Sequence, residues 1–318
     1  SSSSYSELVI RVTQGNDKPT KIAIAPISQG VAKTSEDISR IVEADLQRSG
    51  LFETIERRDM LAFPTRAKDV YYRDWRLLGA EYLVAGQMQM LPDGRYQVEF
   101  SLLNVTGQKT VFTHRVSGSL SQMRDLAHLI SDKVYEEITG IRGAFSTRLA
   151  YITSVRKNGK YSYRLNVSDA DGAREKLILE SSQPIMSPAW SNSGQELAYV
   201  SFETGRPAIF RQNLVTAARQ QLTNFTGING APSWSPDDRK LALVLSKDGN
   251  PEIYLLEIES KKFTRLTGHF AIDTEPTWMP DSKHLLFTSD RGGTPQIYKL
   301  NIASNATERI TFSGNYNA

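Results

Sequence analysis

The second half of the chain repeats itself every 44 residues. A proline, a variable residue and a tryptophan occupy positions 188–190, 232–234 and 276–278, and no insertion interrupts the spacing. Other positions keep the same register: Leu197, Leu241 and Leu285; Gly205, Gly249 and Gly293; Ile209, Ile253 and Ile297. A period of about 40 to 50 residues with several short β runs is typical of a β-propeller, whose four-stranded blades bury one another. The repeat therefore predicts an all-β propeller over residues 143–318.

Each repeat contains four predicted strands. In one copy they lie at residues 231–235, 241–246, 252–258 and 263–267. The first two are separated by Pro236 and Asp237, residues that favour a tight turn because proline fixes φ and aspartate bonds back to the backbone. A residue that recurs once per blade is expected to serve the fold. We therefore assign the recurring tryptophans and turn residues to structure and not to catalysis.

The first repeat is incomplete. Residues 149–153 resemble residues 197–201, but no Pro-x-Trp segment precedes them. The expected architecture is one partial and three full blades, with the first strand of the partial blade supplied from elsewhere. The next proline of the series would fall at position 320, so we expect a truncated propeller.

The 318 residues that make up the chain are enough for two domains, and the period starts only near residue 149. We expect an amino-terminal partner-binding segment over residues 1–15, an α/β domain over 16–142 and the propeller over 143–318. A net charge of +3 without a long basic run does not require a nucleic-acid or anionic-membrane partner, and we expect no nucleic-acid partner. The absence of cysteine excludes disulfides and is compatible with either the cytosol or the periplasm. No apolar stretch is long enough to span a bilayer.

The amino-terminal domain has an alternating α/β pattern. A helix with Thr34 as N-cap is predicted to run to Ser49, because Ile38 and Leu46 belong to one apolar face and Gly50 ends the pattern. A second helix is predicted over residues 121–139, and both helices should cover one face of a sheet. The predicted strands of that sheet lie at residues 21–26, 52–56, 81–89, 95–104 and 109–118.

Motifs of catalysis are missing from the sequence. The four histidines, His114, His128, His269 and His284, are scattered and form no metal-ligand spacing. The chain has no Gly-x-Ser-x-Gly elbow, phosphate-binding loop or dinucleotide fingerprint. We therefore expect no enzyme, no cofactor and no metal.

Several segments together resemble the TolB family, which belongs to the Tol-Pal system of the cell envelope. They are residues 143–151 at the domain junction, residues 186–191, residues 229–232, residues 274–278 and, in the α/β domain, residues 24–26, 44–50 and 78–80. The resemblance covers nearly the whole chain. It implies a six-bladed propeller, of which this chain covers about four blades, in a monomeric periplasmic scaffold of a Gram-negative bacterium.

The resemblance also implies partners and contact residues. The family binds the peptidoglycan-associated lipoprotein Pal through loops that lead into the Pro-x-Trp strands, and it binds TolA through its amino-terminal segment. Other envelope proteins are further expected partners, in support of outer-membrane integrity and constriction at cell division. By match, the Pal contacts are Met186, Ser187, Ile228, Asn229, Ala231, Asp273, Thr274 and Glu275, and Ile185 precedes the first of them. The TolA contacts are Leu8, Ile10 and Val12, whose alternation could add a strand to a partner sheet.

Two other classes of function stay open at this point. Similar repeats occur in peptidases whose catalytic domain follows the propeller, which here would lie beyond Ala318. A propeller lyase with a histidine-bound metal is less compatible, because the repeats contain only His269 and His284. Both alternatives leave the amino-terminal α/β domain without a role.

Overall fold

The computed structural model describes residues 18–29 and 36–318. The chain divides into two compact units, Ser1–Thr147 with Asp169–Asp171, and Arg148–Ser168 with Gly172–Ala318. No helix in the described ranges is long and apolar enough to cross a membrane. The predicted contacts Leu8, Ile10 and Val12, and the predicted N-cap Thr34, lie outside the described residues.

The first unit is built on a mixed sheet. The order of its strands is β3-β1-β4-β5-β6, and β2 pairs with β4. Strand β1 is parallel to β3 and β4, whereas β4, β5 and β6 form an antiparallel meander. The strands are β1 (Thr20–Ile24), β2 (Ser28–Gln29), β3 (Phe52–Thr54), β4 (Tyr82–Met90), β5 (Tyr96–Asn104) and β6 (Lys109–Gly118).

Three α-helices accompany this sheet: α1 (Ile38–Arg48), α2 (Tyr72–Leu77) and α3 (Met123–Thr139). The side chain of Asp37 caps α1 by accepting hydrogen bonds from the backbone N–H groups of Ser39 and Arg40. A 3-10 turn precedes α3, so that helix begins two residues later than predicted. Gly140 ends α3 with a left-handed φ of 72°, a conformation that glycine adopts without strain.

The two long helices pack on one face of the sheet, as predicted. Ile38, Val42 and Leu46 of α1 share a core cluster with Ile130 and Val134 of α3, and these side chains are buried. A second cluster contains Trp75 of α2, which is 1% exposed, with Leu83 and Leu103 of the sheet. The sequence did not predict α2, because six residues give too short a periodic pattern to recognise.

The second unit consists of antiparallel sheets. Three are four-stranded, in the order β10-β11-β12-β13, β14-β15-β16-β17 and β18-β19-β20-β21, and one is three-stranded, β7-β8-β9. This confirms three full blades and one partial blade. The strands are β7 (Arg148–Lys157), β8 (Lys160–Asp169), β9 (Lys176–Ser181), β10 (Ile185–Trp190), β11 (Glu196–Ser201), β12 (Ala208–Asn213), β13 (Arg219–Gln221), β14 (Asn229–Trp234), β15 (Lys240–Leu245), β16 (Glu252–Glu257), β17 (Lys262–Arg265), β18 (Asp273–Trp278), β19 (His284–Ser289), β20 (Gln296–Asn301) and β21 (Thr307–Arg309).

The recurring tryptophans join adjacent blades. The indole N–H of Trp234 donates to the carbonyl oxygen of Ala189, and that of Trp278 donates to the carbonyl oxygen of Ser233, both at 3.1 Å. Each bond therefore reaches 45 residues back, into the first strand of the preceding blade. The indole N–H of Trp190 is buried and has no hydrogen-bond partner among the described residues. All three tryptophans line one cavity of about 510 Å³.

Candidate protein-binding surface

The predicted Pal contacts lie where the first strand of each full blade begins. In β10, β14 and β18 the pairing with the next strand shifts register at the same position. Two residues there oppose one residue of the neighbouring strand, which defines a β-bulge. Pro188, Pro232 and Pro276 each occupy the second bulge position, where the missing N–H of proline breaks no ladder bond. The Pro-x-Trp motif thus coincides with a bulge at the start of each of the three full blades.

The residue before each proline has a left-handed backbone. The φ values are 52° at Ser187, 46° at Ala231 and 53° at Glu275, although none of these residues is glycine. A left-handed residue with a side chain costs about 1–2 kcal/mol. A bulge changes the direction of the side chain that it carries. Ser187 and Glu275 are exposed, and Ala231 is half-buried.

Exposed apolar side chains surround these bulges. Met186 is 43% exposed and Ile228 is 46% exposed. Two neighbours that the sequence did not predict belong with them: Ile272, which is 50% exposed, and Phe270, which is 87% exposed. We call the exposed set the loop surface; it consists of Met186, Ser187, Ile228, Phe270, Ile272 and Glu275. Ile228 and Ile272 are 44 residues apart, so they occupy the same position in adjacent blades.

Asn229, another predicted contact, is buried at 1% exposure. Its side-chain amide donates to the carbonyl oxygens of Phe225 and Gly227 at 2.8 and 3.2 Å. Its side-chain oxygen accepts a hydrogen bond from the Phe225 N–H at 3.3 Å. Asn229 therefore shapes its own loop and supports the position of Ile228 without being available to a partner.

Asp273 occupies the equivalent position in the next blade and is also buried, at 0% exposure. One carboxylate oxygen accepts a hydrogen bond from the Arg291 guanidinium at 2.6 Å. That guanidinium also lies over the rings of Phe287 and Tyr298, 5.1 Å from each centroid. A buried carboxylate needs such a partner, because the free energy of desolvating its charge is large. Asp273 is therefore held in the interior of its blade by Arg291 and, like Asn229, is not exposed at the surface.

The backbone of the loop that carries Phe270 is held by hydrogen bonds from neighbouring side chains. The buried Glu252 carboxylate accepts a hydrogen bond from the backbone N–H of His269 at 2.9 Å, and the Asn250 amide donates to the carbonyls of His269 and Ala271 at 2.6 Å. Glu252 also bonds to the Arg265 guanidinium, and this hydrogen bond raises the pKa of Arg265. The loop is therefore anchored, while its phenyl ring remains in solvent.

The remaining predicted contacts are polar. Glu275 is exposed, and Thr274 is half-buried. The Thr288 hydroxyl lies 3.5 Å from Oε2 of Glu275, at the outer limit of a hydrogen bond. Glu275 therefore carries an exposed negative charge three residues after Ile272 in the sequence.

The histidines of the propeller do not form a reaction centre. His284 pairs with Asp281 at 2.7 Å, and this hydrogen bond lowers the pKa of Asp281 to about 2. His269 lies 4.2 Å from the ring of Phe270 and accepts a hydrogen bond from the Ala271 N–H at Nδ1. The first contact stabilises a turn between strands, and the second stabilises the Phe270 loop.

Comparison with protein families gives matches across most of the chain. Residues 8–111 match the TolB amino-terminal domain, and residues 135–318 match the TolB beta propeller domain. The Tol-Pal system protein TolB of Marinomonas sp. is 53% identical over 232 residues, which cover 72% of this chain and 54% of the relative. The Hahella chejuensis protein of the same name is 46% identical over 227 residues, with coverages of 71% and 53%. The chain thus spans about half the length of these relatives.

A solved structure shows the same architecture. The crystal structure of TolB from Acinetobacter baumannii superposes with a TM-score of 0.84 at 38% sequence identity. The superposition covers 95% of this chain and 74% of the crystallised chain. Both the α/β unit and the blades therefore have counterparts in a protein of this kind.

Proposed function

The chain belongs to the TolB family of Tol-Pal system proteins, and from this membership we propose that it is a non-enzymatic periplasmic scaffold. In this role it binds the lipoprotein Pal through the loop surface and TolA through its amino-terminal segment. Together these contacts support outer-membrane integrity and constriction at cell division. A second function as the propeller of a peptidase has less support, because residues 8–111 match a TolB domain.

The observation that carries the Pal proposal is the anchored, exposed Phe270. An aromatic side chain that is 87% exposed on a hydrogen-bonded loop offers a large contact area at little cost in conformational entropy. Ile228 and Ile272 extend the apolar area, and Glu275 supplies a charge beside it. An apolar centre with a polar edge is the usual composition of a protein–protein interface.

The TolA proposal depends on the family resemblance and on the sequence of the first residues. Leu8, Ile10 and Val12 alternate with residues of the opposite face, a pattern that suits addition of a strand to the edge of a partner sheet. Main-chain hydrogen bonds would provide the affinity, and the three apolar side chains would fill alternate pockets.

Calorimetric titration of the soluble domain of Pal tests the first contact. Glu275→Lys should weaken binding about 10-fold, because it reverses a charge at the edge of the interface. Glu259→Lys is the matched control: Glu259 is exposed on the turn between β16 and β17, outside the loop surface, and its reversal should leave the affinity unchanged. Equal dissociation constants for Glu275→Lys and the parent chain would refute the assignment of this surface.

A deletion tests the second contact. Removal of residues 1–13 should abolish capture of TolA and leave the affinity for Pal within twofold, because the deleted residues precede strand β1 in the sequence and are far from the loop surface in the sequence. Substitution of Arg11 alone by Ser is the control, since strand addition relies on the backbone and the apolar face. TolA capture by the deleted chain would contradict the proposal.

A further inference from the structure

One ring nitrogen of His269 holds the loop that carries Phe270. Nδ1 of His269 accepts a hydrogen bond from the backbone N–H of Ala271 at 3.1 Å. A ring nitrogen that accepts a hydrogen bond carries no proton, so the imidazole is neutral and its hydrogen is on Nε2. In the protonated ring both nitrogens are donors, and Nδ1 can then no longer accept from a backbone N–H.

This hydrogen bond spans Phe270, because it joins the residue before it to the residue after it. Ala271 is buried, so its N–H loses its acceptor in the interior if the bond breaks. Leaving a buried N–H without an acceptor costs free energy. A half-turn of the protonated ring does not restore the bond, since it places the carbon Cδ2 opposite that N–H. Protonation of His269 therefore favours a different conformation of residues 269–271.

The imidazole also contacts the side chain that the loop exposes. The ring centroids of His269 and Phe270 are 4.2 Å apart, and the ring planes are inclined by 32°. A movement of the imidazole therefore changes the support of the phenyl ring. The positions 44 residues before and after His269 hold Phe225 and Ser313, and neither side chain gains a proton near neutral pH. The titratable ring is thus a property of this one loop.

The charged groups around His269 come from the neighbouring strands and turns of the propeller. They are Lys247 and Asp248 between β15 and β16, Glu252 of β16, Arg265 of β17, Asp273 of β18, and Asp290 and Arg291 between β19 and β20. Arg265 and Arg291 line one cavity of about 450 Å³ together with His269. The three cations are paired as follows: Arg265 with Glu252 at 2.8 Å, Arg291 with Asp273 at 2.6 Å and Lys247 with Asp248 at 2.8 Å. None of them therefore opposes protonation of the imidazole with an unpaired positive charge.

We propose that His269 makes the loop surface sensitive to pH. The neutral imidazole holds the Phe270 loop in the conformation that binds a partner, and protonation releases the loop and lowers the affinity. This control rests on the proposed function, in which Pal binds at Phe270. Because the binding conformation requires the neutral ring, affinity falls as the pH falls through the range in which His269 gains its proton. For histidine side chains that range lies between about pH 8 and pH 5.

One substitution separates the hydrogen bond from the titration. In His269→Asn the side-chain oxygen takes the place of Nδ1 and can accept from the N–H two residues later, as in an Asx turn. An amide gains no proton in this pH range, so the variant should hold the loop at both ends of it. His114→Asn is the matched control, because His114 is exposed on β6, outside the propeller. It should keep the pH dependence of the parent chain.

Amide hydrogen exchange followed by NMR tests the release of the loop without a partner. In the whole 318-residue chain, the protection of the Ala271 N–H is corrected for the intrinsic pH dependence of exchange. It should then fall about 5-fold or more between about pH 7.5 and 5.5. His269→Asn should show no such fall. Equal protection of Ala271 at both pH values in the parent chain would overturn the proposal.

Calorimetric titration with the soluble domain of Pal tests the consequence for binding. The parent chain should lose about 5-fold more affinity than His269→Asn between about pH 7.5 and 5.5. Titration of groups on Pal itself is common to both chains and cancels in this ratio. Equal losses in the two chains would overturn the proposal and leave the Pal contact in place. If neither chain binds Pal at the higher pH, the proposed function is refuted, whereas a fall in Ala271 protection still supports release of the loop by protonation.

Discussion

The propeller and the α/β unit reveal their functional residues in opposite ways. In the propeller three copies of one pattern can be compared, and the residues that recur, such as Trp234 and Trp278, bond one blade to the next. Phe270 does not recur: the equivalent positions hold Thr226 and Ser182. In the α/β unit no copy exists for comparison. There the informative feature is polar groups in the interior, such as Asp45 and His128.

This difference teaches which signal to follow in each part of the chain. Recurrence in the propeller marks Trp234 and Trp278, which bond one blade to the next, whereas Phe270, which does not recur, is the residue that we propose for contact with a partner. In the α/β unit the informative residues are buried carboxylates. Burying a charge costs free energy, so a buried carboxylate is expected to contribute to structure or binding. Four measurements test these inferences about the propeller and the α/β unit.

The largest effect should come from Trp234→Ala. The side chain is 5% exposed, and its N–H bonds to the preceding blade, so its removal leaves a cavity and an unpaired carbonyl. We expect the free energy of unfolding to fall by about 3–5 kcal/mol. Urea denaturation followed by circular dichroism measures it. A loss below about 1 kcal/mol would contradict the inference that the recurring tryptophans stabilise the propeller.

Asp45→Asn should come next. The variant keeps the size of the side chain but removes the charge that pairs with Arg48 and orients His128. Because Arg48 is half-exposed and can be solvated, losing the charged hydrogen bonds of the buried Asp45 carboxylate should cost about 2 kcal/mol. Glu137→Gln, on the exposed face of α3, is the control and should change stability by less than about 0.5 kcal/mol. Equal thermal midpoints for the two variants would contradict the importance of the polar interior.

A smaller effect should appear at alkaline pH. Burial and a 2.5 Å hydrogen bond to Asp248 raise the pKa of Tyr254 to about 12. The unfolded chain releases this proton near pH 10, whereas the folded chain keeps it until about pH 12. The contribution is therefore complete below pH 10 and is lost as the pH rises towards 12, amounting to roughly 1 kcal/mol by pH 11.

The comparison for this measurement is Tyr254→Phe. The variant keeps the ring in the blade core and removes the titrating hydroxyl. Its unfolding free energy should therefore decline less between pH 10 and pH 12 than that of the parent chain. Parallel stability curves over this range would show that the hydroxyl does not titrate differently in the two states.

The smallest effect on stability should come from Phe270→Ser. The ring is 87% exposed, so the unfolding free energy should change by less than about 0.5 kcal/mol. Binding should respond instead, with a loss of affinity for Pal of about 30-fold, as for an aromatic residue at the centre of an interface. Val215→Ser, 81% exposed after β12, is the matched control for both measurements. If Phe270→Ser bound Pal with the affinity of the parent chain, Phe270 would not be a binding residue, and departure from the repeat would not indicate binding.

The sequence predicted the architecture well and the site less completely. The strands of the repeat were predicted to within about two residues. Three copies of one pattern can be aligned, and strand and turn residues then fall at the same positions in each copy. The short helix α2 escaped notice, although it contributes the buried Trp75. Its six residues complete fewer than two turns, and so no periodicity is visible.

The sequence did not show which polar side chains of the loops are buried. Asn229 and Asp273 were expected to contact a partner, yet both are buried, because polar loop residues look alike whether they bond inward or outward. Phe270, which we propose as a contact, was not identified from the sequence because it breaks the repeat from which the expected contacts were inferred. The buried hydrogen bonds between Asp45 and the side chains of His128 and Ser131 were missed because they join residues 83 and 86 positions apart in the sequence. Only the tertiary structure brings them together.

The bond that runs 45 residues back from Trp234 and from Trp278 has a consequence for how such a protein can change over generations. A gene segment that encodes 44 residues could be copied or lost in one event, and each remaining tryptophan would still meet the same carbonyl in the blade before it. Every added copy would also bring another strained bulge and another loop. Duplication would thus enlarge the area open to new partners while the old contacts stay intact, and later point mutations could then diversify the spare loop.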